Sequence, residues 1–170
     1  MLVTAAAFPD VILAVHILGA VIGFGTAFAF PVLFTAASRS DPEVIPWLLR
    51  ARQRVGRLLV NPGLLVVVLA GVYLASDEHQ WGNFYVDWGI AAAVALGALE
   101  RSLIIRPAIR LASLAERDLA ATAVPAAGQR TSAKWGSEYN AELPRFLLAA
   151  NAMAGIVALT VFFMATHLGA

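Results

Sequence analysis

Cysteine is absent from this 170-residue chain, which excludes disulfides, thiolate metal sites and cysteine nucleophiles together. Any metal or cofactor must be held by histidine, carboxylate, amide, tyrosine or methionine, and the histidines are His16, His79 and His167. Charge is also scarce. Asp, Glu, Lys and Arg make up 14% of the residues against 60% hydrophobic ones, and mean hydropathy is +0.76. Soluble domains carry about 25% charged residues, so this is the composition of a membrane domain. Basic residues are missing before Arg39 and after Arg145. A start without a positive region argues against a cleaved signal peptide, so the first apolar run is expected to stay. A phosphate loop, a Ser-His-Asp order and a carboxylate pair are missing too, and no enzymatic reaction is read from the residues.

What is present begins with Val11 to Ala37, VILAVHILGAVIGFGTAFAFPVLFTAA, which has no charged residue; its polar side chains are His16, Thr26 and Thr35. A bilayer takes roughly 20 apolar residues to cross, and this run exceeds that. Three more spans are expected at about 58–75, 88–105 and 146–168. The fold class is therefore all-α, a four-helix transmembrane bundle forming one integral membrane domain over residues 1–170. Pro31 is expected to kink the first span, since it removes a backbone donor.

The connections differ in charge. Ser38 to Arg57 holds Arg39, Arg50, Arg52, Arg54 and Arg57, with Pro42 and Pro46 at helix-start positions. Arg50, Arg54 and Arg57 share helical spacing, with Trp47, Leu48 and Leu58 available to the acyl boundary, as in an interfacial helix. The plainer reading, a basic topogenic loop, takes precedence. Ser76 to Asp87 is acidic and carries Trp81 and Tyr85, followed by Trp88, the aromatics of a membrane interface. Beyond Pro107, Leu111, Leu114, Ala115 and Leu119 recur with helical period, which predicts an amphipathic extension to about Ala123. The stretch VPAAGQRTSAKWGSEYNAELP reads as an exposed loop.

Lys and Arg set orientation. The loops after spans one and three hold essentially all of them, which puts those loops in the cytoplasm and both termini outside. His16, His79 and His167 then lie on the outer side, while Asn61, Glu100 and Asn151 come from inner helix ends. The localisation expected is the bacterial plasma membrane. The inner arginines flank membrane spans and suit anionic lipid rather than nucleic acid.

His16 lies inside an apolar run, where an ionisable group is costly enough to suggest function. Gly19 and Gly23 follow it at i+3 and i+7 on the same helix face. Two readings stay open: a small-xxx-small contact that lets helix backbones touch, or a glycine-lined groove for a porphyrin with His16 on the iron. His167 is a second ligand by residue type. Its height is the obstacle, because His16 is six residues, about 9 Å, below Asp10, whereas His167 is near the surface. Bis-histidine and single-histidine ligation are both kept. His79, beside Asp77 and Glu78, matches no metal spacing and reads as a solvated loop residue. Glu100 and Arg101 point about 100° apart on a helix, and read as an inner-boundary anchor rather than a proton relay.

The stretches HILGAVIGFGTAFAFPVLF and VNPGLLVVVLAGVYL resemble a bacterial family of four-helix integral membrane proteins of unknown function. They are also distantly similar to the membrane domain of copper resistance protein D and to heme-dependent protoporphyrinogen oxidase. That resemblance implies a b-type heme on the first-helix histidine, here His16. Two functions are carried forward: a small membrane heme protein with a redox partner, and a cofactor-free membrane protein that binds a partner, lipid or small solute. Oligomeric state is not read from the sequence.

Overall fold

Apolar side chains facing lipid leave the backbone no solvent to bond, so each span must close its hydrogen bonds within a helix. The computed structural model describes residues 7–122 and 135–167. Its helices are α1 (Phe8–Ser40), α2 (Ile45–Val55), α3 (Asn61–Asp77), α4 (Phe84–Leu99), α5 (Arg106–Thr122) and α6 (Ser137–Thr166). There are no strands among the described residues, and four helical stretches are long and apolar enough to cross a membrane. The four expected spans are therefore present, on α1, α3, α4 and α6.

The connections are more helical than expected. α2 runs into α3 without a break, giving one helical stretch from Pro42 to Asp77, and α4 runs into α5 from Phe84 to Thr122. Each junction is a wide π turn, Gly56–Val60 in one and Glu100–Ile105 in the other. Proline explains both places. Pro62 and Pro107 lack an N–H, and their rings crowd the carbonyl four residues back, Leu58 and Leu103, which lie inside the π turns. Opening the helix there accommodates the ring without ending the helix.

α2 and α5 pack together beyond the spans and form the arginine-rich end of the bundle. Ile45 and Leu49 from α2 and Ala108, Leu111 and Ala115 from α5 are all 0% exposed. The basic connection is thus helical rather than a loop: α2 turns Ile45 and Leu49 to α5, while Trp47 and Leu58 remain exposed. The amphipathic extension is present as α5, with Leu119 half-buried. α6 begins at Ser137, inside the stretch expected to be a loop. Tyr139 accounts for it, being 1% exposed and stacked on Trp135 at 4.6 Å between ring centroids. The part of that loop from Val124 to Lys134 lies outside the described residues, as does Leu168 at the end of the fourth span.

The core runs along the inside of the bundle through Phe24, Phe30, Phe34, Leu96, Ile104, Phe146, Met153 and Val157. Phe30 meets Phe146 edge-on at 5.8 Å, which sets α1 against α6. At the terminal end, Ala75, Tyr85 and Val86 form a smaller cluster with Phe163 and Met164. Trp88 donates its indole N–H to Thr160 Oγ1 at 3.1 Å and so joins α4 to α6.

Candidate functional site

α1 and α3 approach closely because glycines meet. A Cβ built on Gly63 would lie 2.7 Å from Gly23 Cα, closer than real Cβ contacts come, and one on Gly19 would lie 3.1 Å from Val66 Cγ1. The face of α1 that carries Gly19 and Gly23 is thus filled by α3. Of the two readings of these glycines, helix contact is the arrangement observed; they do not line an open groove.

His16 sits one turn toward the terminal end of this contact. Its Nδ1 donates to the Val67 carbonyl at 2.9 Å, and its Nδ1–Cε1 edge lies over Gly71, where a Cβ would come within 3.1 Å of Cε1. A side chain at position 71 would press on the ring, and the sequence reading did not single out Gly71. The accepting carbonyl fixes the proton on Nδ1, so Nε2 keeps its lone pair. The ring is half-buried. His16 Nε2 has no hydrogen-bond partner among the described residues.

His167 ends α6 in the left-handed conformation, φ 48°, and packs edge-on against Tyr85 at 5.2 Å. The antiparallel contact of Phe30 with Phe146 places His16, fourteen residues from Phe30, level with Thr160. His167 is then seven residues further out, about 10 Å along the axis. The structure does not bring the two histidines together. His79, φ 55°, is exposed in the turn between α3 and α4. No group of three or more His, Asp or Glu among the described residues is arranged to hold a metal ion.

The arginine-rich end holds a second polar site. Glu100 is 2% exposed and accepts two hydrogen bonds from Arg52, Nη1 to Oε1 at 2.7 Å and Nη2 to Oε2 at 2.8 Å; Arg52 is 6% exposed. This corrects the anchor reading of Glu100 with Arg101: the partner comes from α2, not from the next residue. Both π turns flank the pair, since Gly56 opens one and Glu100 the other. A Cβ on Gly56 would lie 2.8 Å from Glu100 Oε1. Arg52 also sits 5.9 Å from the centre of the Phe30 ring. A signal for this pair was available: Ile45, Leu49 and Arg52 share one face of α2 at i, i+4 and i+7, opposite the other arginines, and a carboxylate ending an apolar span needs a cation.

The chain belongs to a family whose profile, described as "Predicted integral membrane protein (DUF2269)", matches residues 10–165. No curated protein and no solved structure matches it.

Proposed function

We propose that this integral membrane protein binds heme b through Nε2 of His16 and serves a redox or electron-transfer role with a membrane partner. The observation that carries the reading is the imidazole itself: in an apolar span Nδ1 is committed to the Val67 carbonyl, the ring is only half-buried, and Nε2 has no hydrogen-bond partner among the described residues. A histidine tied by one nitrogen to a backbone carbonyl presents the other in a fixed tautomer and orientation, as ligating histidines do. An imidazole nitrogen without a partner in hydrocarbon is costly unless something occupies it.

Of the candidate residues, His16 is the one that would hold the iron. Gly19 and Gly23 contact α3, and His167 lies about 10 Å further along the bundle, so neither belongs to this version of the site. Bound heme would supply one-electron exchange at iron. The chain's own contribution is a ligand of set tautomer and an apolar surround that keeps water away. We further propose that the arginine-rich end faces the cytoplasm of a bacterium, following the sidedness of Lys and Arg, which puts His16 in the outer half of the plasma membrane.

Protein purified from heme-replete cells, or reconstituted with hemin, should show a Soret band that His16→Ala removes and His167→Ala leaves intact. No Soret absorption after both routes would replace this reading with the cofactor-free membrane binder. A Soret band indifferent to His16→Ala would keep heme and overturn the ligand.

A further inference from the structure

A groove of about 620 Å³ opens between the α4–α5 junction and α6 at the arginine-rich end. It is graded along its length. Arg106, Arg110, Glu142 and Arg145 line the end away from the bundle centre, and Leu103 and Leu148, 44% and 72% exposed, are among the apolar residues that continue it into the span. The ion pair of Arg110 Nη2 with Glu142 Oε1 at 2.9 Å marks the antiparallel register of α5 on α6. One turn closer to the membrane, that register brings Arg106 and Arg145 level with each other. Neither makes a salt bridge to another described residue.

We propose that this groove is a binding site for an anionic phospholipid, with the phosphate between Arg106 and Arg145 and the acyl chains along Leu103 and Leu148. Charge complementarity selects the headgroup: Glu142 neutralises Arg110, which leaves two guanidinium groups of like sign facing one cavity. Guanidinium suits phosphate because its fork donates two parallel hydrogen bonds. The gradient selects a lipid over free phosphate, since an inorganic ion would leave the apolar half of the groove without an occupant. Basic pockets between transmembrane helices at the headgroup level hold anionic lipids by this same combination. The π turn contributes directly. By carrying the helix through Pro107 it keeps Arg106 and Arg110 in line with Leu103 on one continuous wall.

The test uses the full chain in a neutral detergent, titrated with phosphatidylglycerol, phosphatidylcholine or inorganic phosphate and read by native mass spectrometry and thermal stability. Phosphatidylglycerol should bind saturably at one site, and Arg106→Gln with Arg145→Gln should weaken it roughly thirtyfold, the equivalent of about 2 kcal/mol at about 1 kcal/mol per arginine. Arg54→Gln with Arg57→Gln removes the same charge elsewhere and should leave that site's affinity within about twofold, well inside the tenfold that 1.4 kcal/mol represents. Ala152→Trp, which fills the apolar end without touching charge, should weaken the lipid and not the phosphate. Equal losses from the two arginine pairs would reduce the groove to general surface charge and overturn the site. Inorganic phosphate binding as tightly as the lipid, or phosphatidylcholine binding as well as phosphatidylglycerol, would overturn the anionic-lipid assignment. Should the double variant unfold, the single variants Arg106→Gln and Arg145→Gln decide: each should weaken phosphatidylglycerol roughly fivefold, the equivalent of about 1 kcal/mol, and no loss from either while folded would overturn the site.

Discussion

Removing one member of the Arg52–Glu100 pair should destabilise the bundle far more than removing both. The two hydrogen bonds at 2.7 and 2.8 Å place the charge centres about 4 Å apart, and at an effective dielectric of about 20 their attraction is about 4 kcal/mol. Arg52→Met leaves the Glu100 carboxylate, 2% exposed, without a cation, and Glu100→Leu leaves the Arg52 guanidinium in the same position. Each should cost about 3–5 kcal/mol, the usual penalty for an uncompensated buried charge. The double variant has no charge left to solvate and two apolar side chains to pack. It should fall within about 1 kcal/mol of the parent or exceed it, because apolar replacement of a buried pair is often neutral or stabilising. Unfolding in mixed micelles titrated with sodium dodecyl sulfate, followed by far-ultraviolet circular dichroism, gives all four stabilities and closes the cycle. A double variant that loses the sum of the two single losses would refute the pairing. Single losses below about 1 kcal/mol would show a solvated pair of the surface kind.

Further outcomes follow from the same contacts. Gly56→Ala should cost about 1–3 kcal/mol, because its Cβ would meet Glu100 Oε1 at 2.8 Å, whereas Gly25→Ala, with nothing within 4 Å, should be tolerated or favourable; denaturant midpoints compare them. Gly23→Leu should destabilise strongly against the Gly63 backbone, and Val21→Phe, at a position 64% exposed, should be tolerated; equal effects would remove the α1–α3 glycine contact as a stabilising feature. Gly71→Val should displace the His16 ring and, if heme is bound, alter its spectrum while the helix content by circular dichroism stays unchanged. Trp88→Phe should lose the bond to Thr160 at 3.1 Å and about 1 kcal/mol, measured in the same denaturant series. Cysteine introduced at Ser40 should be protected from an impermeant thiol reagent in intact cells, and one at Glu78 should react; the chain has no other cysteine to confuse the result. The reverse pattern would invert the proposed orientation.

Spans were the most legible feature because their cause is local. A run long and apolar enough to cross a bilayer must be helical wherever its neighbours lie, and the helical stretches Phe8–Ser40, Pro42–Asp77, Phe84–Thr122 and Ser137–Thr166 take in the expected runs up to Thr166. The start of α6 was not legible for the opposite reason. Ser137 to Pro144 is polar and rich in turn residues, and it is helical because Tyr139 is buried at the arginine-rich end beside Trp135. The extension beyond Pro107 was legible from its helical period, but its continuity was not: the helix passes through the proline by widening into a π turn whose Glu100 and Ile104 side chains are buried.

By itself the sequence determined that this is an all-helical membrane domain without cysteine, with its basic residues gathered at one end and a histidine inside its first apolar run. Those properties depend on composition, run length and helical period, which the chain carries without reference to its fold. Tertiary structure alone decided which groups face each other. It set Gly23 against Gly63, tied His16 Nδ1 to Val67, held His167 apart from His16, and joined Arg52 to Glu100 across 48 positions of sequence. Each of these pairings depends on the register of one helix on another, and that register is set by packed side chains distributed over the whole interface rather than by any short stretch of residues.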